Sequence, residues 1–187
     1  VAAMTQQTTN YDTLFGTRNG SNGRFTARFG NDSNGILDAH KSSSPTSSYS
    51  TWSTGQTKST MLDTYIRLYL KDMLRVNGLF RNGVITSNVN AFPYPLFLFA
   101  NNNAGSVSDY ACCAIKRFKV WNNNNELIMY LVPSSYNGEA CMYDLVTGQY
   151  FHNSGTGTFT YTDLGTTFDA ILWKKISGAW TVVSEWG

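Results

Sequence analysis

Charge is scarce in this chain. Only 14% of its 187 residues are Asp, Glu, Lys or Arg, against about 25% in ordinary soluble domains. The net charge is +2 and no run of basic residues occurs, which argues against nucleic acid as a partner. Long apolar runs are missing too. The longest, "FPYPLFLFA" (92–100), holds two prolines and falls well short of the roughly 18 residues that a membrane span needs. The three cysteines, Cys112, Cys113 and Cys141, are odd in number and contain no C-x-x-C pair. A disulfide framework and a zinc site are therefore not expected, and the thiols read as small packing residues. Neighbouring Cys112 and Cys113 would point to opposite faces of a strand. The two histidines are His40 and His152. A Cys141–His152 dyad can be drawn, but the sequence offers it no orienting group, and no G-x-S-x-G elbow exists. The glutamates are Glu126, Glu139 and Glu185, and none of Asp63, Asp72, Asp144, Asp163 and Asp169 has a carboxylate two positions away. No acid and nucleophile pair is thus set on one strand face. "NSGTGTF" (153–159) lacks the Lys-Ser/Thr of a phosphate-binding loop. Together these absences lead us to expect a non-enzyme with no cofactor and no metal.

Sustained helical periodicity is the next absence. The best helical candidate is "TKSTMLDTYIRLYLKDMLRV" (57–76), where Met61, Tyr65, Leu68 and Asp72 would share a face. The same stretch alternates as a strand, with Ile66, Leu68 and Leu70 against Arg67, Tyr69 and Lys71. "VNGLFRNGVIT" follows, with Asn77-Gly78 and Asn82-Gly83 as hairpin signals. Strand is the reading taken, with a short helix before a hairpin as its alternative.

What the chain does have is aromatic residues, 14% of the total, and abundant Asn, Ser, Thr and Gly. Aromatics favour half-buried strands. Turn signals recur at close intervals: "RNGSNG" (18–23), "NDSNG" (31–35), "NNNAGS" (101–106) and "NNNN" (122–125). "SSSPTSSYSTWSTG" (42–55) reads as a loop. Between them lie "YDTLFGT", "RFTARFG", "ILDAHK", "VSDYACCAIKRFKVW", "ELIMYLVP", "ACMYDLV", "QYFHN" and "TFTYTD". In "RFTARFG", Phe25, Ala27 and Phe29 alternate with Arg24, Thr26 and Arg28. In "CMYDLVTGQYF", Tyr143, Leu145 and Phe151 are expected to plug the core. About a dozen short strands without βαβ spacing predict an all-β, antiparallel β-sandwich. The character changes near residue 165. "AILWKKI" and "AWTVVSEW", joined by Ser177-Gly178, predict a short C-terminal β-hairpin carrying Trp173, Trp180 and Trp186. The domain expectation is therefore a sandwich over 1–164 and a hairpin appendage over 165–187.

The segment "LFLFANNNAGSVSDYACCAIKRFKVWNNNNELIMYLVPSSYNGEACMYDLVTGQYFHNSGTGTFT" (96–160) resembles the C-terminal half of a concanavalin A-like (laminin-G-like) jelly-roll domain, of the kind found in gut bacteria and their bacteriophages. "YDTLFGTRNGSNGRFTARFG" (11–30) resembles an earlier strand pair of such domains. "LWKKISGAWTVV" is similar to short hairpins of phage virion proteins. The resemblance implies a jelly roll that starts after the usual first strand or strands. A cleaved piece or a partner-completed subunit is then expected, with the open sheet edge filled by another segment. Glycoside hydrolases of this fold carry an "E-x-D-x-E"-like strand, which this sequence lacks.

Two ligand chemistries deserve weight. Sandwiches of this class often hold calcium at loop edges, and Asp32 with Asn31 and Asn34, or Asp109 with Asn101 to Asn103, would supply oxygens. Asn-rich turns are more often only turns, so no metal is expected. Carbohydrate binding needs aromatic platforms beside hydroxyl and amide groups. "SSYSTW" offers Tyr49 and Trp52, and "NNNAGSVSDY" offers Asn102 and Tyr110. These four are the candidate glycan-binding residues. The functional expectation is a non-catalytic bacteriophage structural protein of a tail, fibre or capsid surface. Its partners would be other virion subunits in an oligomer, with host glycan attachment as a further role. The alternative is a secreted or cell-surface carbohydrate-binding module. Neither nucleic-acid binding nor membrane insertion is expected.

Overall fold

The computed structural model describes residues 2–4, 11–31, 35–42, 44, 46–62, 67–70, 74–77, 79–82, 93–155, 157–161, 173–176 and 179–182. Among them there is no helix; every regular element is a strand. The first nine strands are β1 (Ala2–Met4), β2 (Asp12–Arg18), β3 (Arg24–Phe29), β4 (Ile36–Ser42), β5 (Tyr49–Thr57), β6 (Leu68–Leu70), β7 (Leu74–Val76), β8 (Leu79–Asn82) and β9 (Phe97–Leu98). The rest are β10 (Asn101–Asn103), β11 (Ser106–Ser108), β12 (Cys113–Ile115), β13 (Phe118–Trp121), β14 (Leu127–Tyr136), β15 (Glu139–Asp144), β16 (Tyr150–His152), β17 (Trp173–Ile176) and β18 (Ala179–Val182).

Two sheets dominate. A seven-stranded sheet runs β11-β10-β2-β3-β4-β5, with β9 also on β2, and a four-stranded sheet runs β13-β14-β15-β16. The arrangement is all-β and consistent with a β-sandwich. One pairing departs from the antiparallel expectation: β10 lies parallel to β2, with Asn101 opposite Gly16. Smaller units are the β6-β7-β8 meander, the β1-β12 pair and the β17-β18 hairpin.

Alternation in β3 sets the main core. Phe29 and Ala27 are buried together with Leu14, Leu37 and Met61, while Arg24, Thr26 and Arg28 turn to the opposite face. Each large side chain buried here contributes about 1.5–3 kcal/mol. Trp52 packs on Ala39, and Leu68 and Leu70 of β6 cover both. A third cluster, Ile115, Leu131 and Met142, gathers Phe99, Phe118 and Met129 around it. Phe15 of β2 meets Phe118 of β13 at 5.3 Å between ring centroids, which joins the two main sheets. One ion pair lies inside: Lys58 Nζ sits 2.8 Å from Asp12 Oδ2, with both side chains essentially inaccessible.

Turn chemistry places the strands. Asn77, first of the Asn-Gly pair between β7 and β8, has φ 52°. Ala104 (φ 52°) and Gly105 (φ 92°) close the β10–β11 hairpin, the left-handed pair that a tight hairpin needs. At the neck of the β3–β4 hairpin Gly35 is forced by contact, since a Cβ there would lie 2.4 Å from the Gly30 carbonyl oxygen.

Several expectations need correcting. The Ser/Thr-rich stretch 42–55 is not all loop, because β5 occupies Tyr49–Thr57 with Trp52 and Thr54 facing in and Ser50, Thr51 and Ser53 exposed. That is strand alternation written in hydroxyl residues. "TFTYTD" does not form a strand over 158–161. Its Phe159 ring instead packs on Phe99 at 5.0 Å, and no strand offers it a ladder. The strand reading of "YIRLYL" holds at Leu68–Leu70, while Tyr65 and Asp72 lie outside the described residues, as do Gly83, Asp32 and Trp186. In the C-terminal hairpin Trp173 pairs with Val182 and Lys175 with Trp180, flanking the Ser177-Gly178 position.

Candidate binding surfaces

The outward face of the four-stranded sheet is built by alternation along β14, β15 and β16. Leu131 and Met142 point into the core, so Tyr143, Cys141 and Glu139 point out. Across β16, Tyr150 faces Tyr143 and His152 faces Cys141. The rings of Tyr143 and Tyr150 stand 4.8 Å apart, and Tyr136 reaches over β15 to within 4.5 Å of Tyr150 and 6.0 Å of His152. Tyr136 and Tyr150 remain 44% and 41% exposed. Phe151, on the other side of β16, is 39% exposed, because among the described residues β16 is the sheet's edge and pairs only with β15. Leu145 and Val146 in the preceding turn are exposed as well. Tyr143, Leu145 and Phe151 therefore do not fill the core as expected. Met142 and Leu131 do that, while Tyr143 lies half-buried on the outward face and Leu145 and Phe151 are exposed in the turn and on the edge strand.

Asp144 fixes this hairpin. Its carboxylate accepts the Tyr130 and Val146 amides at 2.8 and 3.1 Å and the Thr147 hydroxyl at 2.7 Å. Burial alone would raise its pKa, but these donors hold it below the usual carboxylate range. Gly148 at φ 75° completes the turn, so "DLVTGQYF" is a hairpin as read from sequence. Beyond it Asn153 takes the Gly155 amide at 2.9 Å and donates to the Gly157 carbonyl.

The structure does place Glu139 beside the drawn dyad, 3.6 Å from His152 Nδ1. Cys141 is nonetheless buried. Burial and the Glu139 charge raise its pKa, which works against a thiolate.

The second surface is the polar face of the seven-stranded sheet. Arg18 pairs with Arg24, and Arg24, Thr26 and Arg28 alternate along β3 beside Asp38 and His40 of β4. The Arg24 guanidinium stacks 4.0 Å from the Tyr49 ring centre, and Arg28 4.4 Å from that of Tyr11. His40 meets Tyr49 edge-on at 5.3 Å and Thr51 Oγ1 at 3.1 Å. Burial, then Arg28 and Arg24, lower its pKa to about 3, so its ring is neutral near pH 7. Burial also depresses the Arg24 pKa and lifts that of Asp38.

The four glycan candidates do not form one group. Tyr49 and Trp52 lie on β5 and Asn102 on β10, with β2, β3 and β4 between them, about 19 Å at normal strand spacing. Trp52 is buried in the core. Asn102 is buried, donating to the Pro95 carbonyl and accepting the Gly105 amide, both at 2.9 Å. Tyr49 lies under Arg24, and Tyr110 alone stands open, 56% exposed. Asp109 serves cations of the chain itself, 3.7 Å from Arg18 and from Arg28, with Asn101 Nδ2 at 3.4 Å. A calcium ion there would compete with two guanidiniums. Among the described residues no cluster of three His, Cys, Asp or Glu could hold a metal.

Sequence reading missed both surfaces for one reason. Each depends on which strands are neighbours, and period-two alternation tells two faces apart without saying which is covered. The alternation of Arg24, Thr26 and Arg28 was the available signal for the arginine face. Comparison with family models, curated proteins and solved structures finds no match to the chain.

Proposed function

We propose that this chain is a non-catalytic structural module of a bacteriophage virion, a concanavalin A-like jelly roll on a tail, fibre or capsid surface. It assembles with other virion subunits through the outward face and free edge of β14–β16, and host glycan attachment is its further role. One observation carries the reading: among the described residues β16 is an edge strand on which Tyr150, Phe151 and His152 are all exposed, beside exposed Tyr136, Leu145 and Val146. Such an edge and apolar patch fits a surface that another chain covers. The sequence resemblance over 96–160 and the weakly charged Asn/Ser/Thr surface support the same setting.

The alternative is a secreted or cell-surface carbohydrate-binding module. The ladder of Tyr136, Tyr143 and Tyr150, flanked by His152 and Glu139, favours it as a stacking platform for sugar rings. Hydrogen exchange at low and high protein concentration, paired with a glycan array, separates the two. Assembly is expected to slow exchange of the β16 amides. Exchange that ignores concentration, combined with tight neutral-glycan binding by the monomer, would favour the alternative.

A further inference from the structure

The polar face of the seven-stranded sheet holds cations that it does not neutralise. Arg18 of β2 and Arg24 and Arg28 of β3 share that face. Their nearest carboxylate, Asp109, stands 3.7 Å from both Arg18 and Arg28, beyond normal hydrogen-bond length. Asp38, opposite Arg28, is the other acid on this face among the described residues. Arg18 Nη2 donates to Ser108 Oγ over a long 3.5 Å. Each guanidinium offers about five N–H donors. Yet Nε of Arg18 and both Nε and Nη1 of Arg24 have no partner, and Arg24 is only 8% exposed. Buried donors in native proteins are almost always satisfied, so this group of unpartnered nitrogens asks for an acceptor. The Tyr49 and Tyr11 rings hold two of the guanidiniums by their faces, which leaves the in-plane donors for that acceptor.

We propose that this face binds an oxyanion, the carboxylate or sulfate of an acidic saccharide, with Arg18, Arg24 and Arg28 as its donors. Planar forks of this kind match carboxylate and sulfate oxygens two at a time. Exposed Thr51 and Ser53 on β5, beyond β4 on the same sheet, supply hydroxyls for the rest of a sugar. A nucleic-acid backbone is the poorer fit, since it calls for many more cations than a chain of net charge +2 presents. The choice of a saccharide rests on the glycan-attachment role above. The site itself does not depend on assembly through β16.

Calorimetric titration of the whole chain tests this, with a sulfated heparin oligosaccharide, a hyaluronan oligosaccharide carrying only carboxylates, and a neutral dextran oligosaccharide. At least one acidic probe is expected to bind, more weakly as salt rises, and the dextran is not. Heparin binding alone identifies sulfate, and hyaluronan binding identifies carboxylate. Arg18→Gln and Arg28→Gln should each weaken binding about tenfold. Arg24→Lys, which keeps the charge and loses the fork, should weaken it also. If the buried Arg24 variant does not fold, the two partly exposed positions decide, provided that they melt like the parent. Light scattering of each titrated sample reads assembly separately, so failed assembly and failed anion binding remain distinct. No binding to either acidic probe, equal binding to dextran, or parental affinity in both Gln variants overturns the proposal.

Discussion

His40 should make this fold sensitive to mild acid, and replacing it should remove much of that sensitivity. The ring is buried between Thr26 and Thr51, its register partners, with Tyr49 at its edge and Arg24 and Arg28 nearby. Burial and the two arginines lower its pKa to about 3. Unfolded, the same ring titrates near 6.5. Between those values the unfolded chain binds a proton that the folded chain does not. Stability from this group is therefore complete above pH ~6.5 and is lost as pH falls toward 3. By pH ~5 the loss is about 1.5 pKa units, or about 2 kcal/mol. Urea unfolding at near-neutral pH and at pH ~5 measures it directly. Parent and His40→Gln should differ in their acid loss by about 2 kcal/mol, with the parent losing more. Any effect of the lost Thr51 contact cancels, since it is present at both pH values. Equal acid losses would refute the reasoning, as would an NMR titration of His40 with a midpoint near its ordinary value.

Three further outcomes follow from the interior. Lys58→Met removes the buried cation beside the Asp12 carboxylate and should cost about 3–5 kcal/mol, read by chemical denaturation. Asp144→Ala strands the Tyr130 and Val146 amides and the Thr147 hydroxyl. It should cost about 1–3 kcal/mol and shrink the acid-labile part of stability that the parent loses as pH falls through the depressed Asp144 pKa. Gly35→Ala places a methyl 2.4 Å from the Gly30 carbonyl oxygen and should lower Tm, while Gly157→Ala, where a Cβ meets nothing within 4 Å, should not.

The readable part of the fold was the part written locally. "RFTARF" alternates, and β3 buries Phe29 and Ala27 as that alternation requires. "VTGQYF" and Asn77 lie at turns because few other residues accept those backbone angles. Strand β5 was hidden because Ser and Thr look like loop residues until Trp52 and Thr54 are seen to face inward. Strand neighbours were less legible. The parallel placement of β10 on β2 joins residues far apart in the chain, and no local pattern encodes it. The same limit governed the sites. Asn102 looked like a sugar ligand, yet its amide holds a turn. Phe151 looked like core, yet it lies on an edge strand whose inward neighbour, Met142, already fills that layer. Arg24 was legible only as a polar position alternating with Phe25, and it is buried among other cations.

Assembly through β16 is the claim on which the functional account turns, and light scattering of the purified chain across a range of concentrations tests it most directly. The account predicts masses rising to a multiple of 20.8 kDa, and a return to the single-chain mass in the Tyr150→Lys/Phe151→Lys variant with its Tm unchanged. A parent chain that stays at the single-chain mass at every concentration and when mixed with its neighbouring virion subunits, or a double variant that assembles as the parent does, would contradict it.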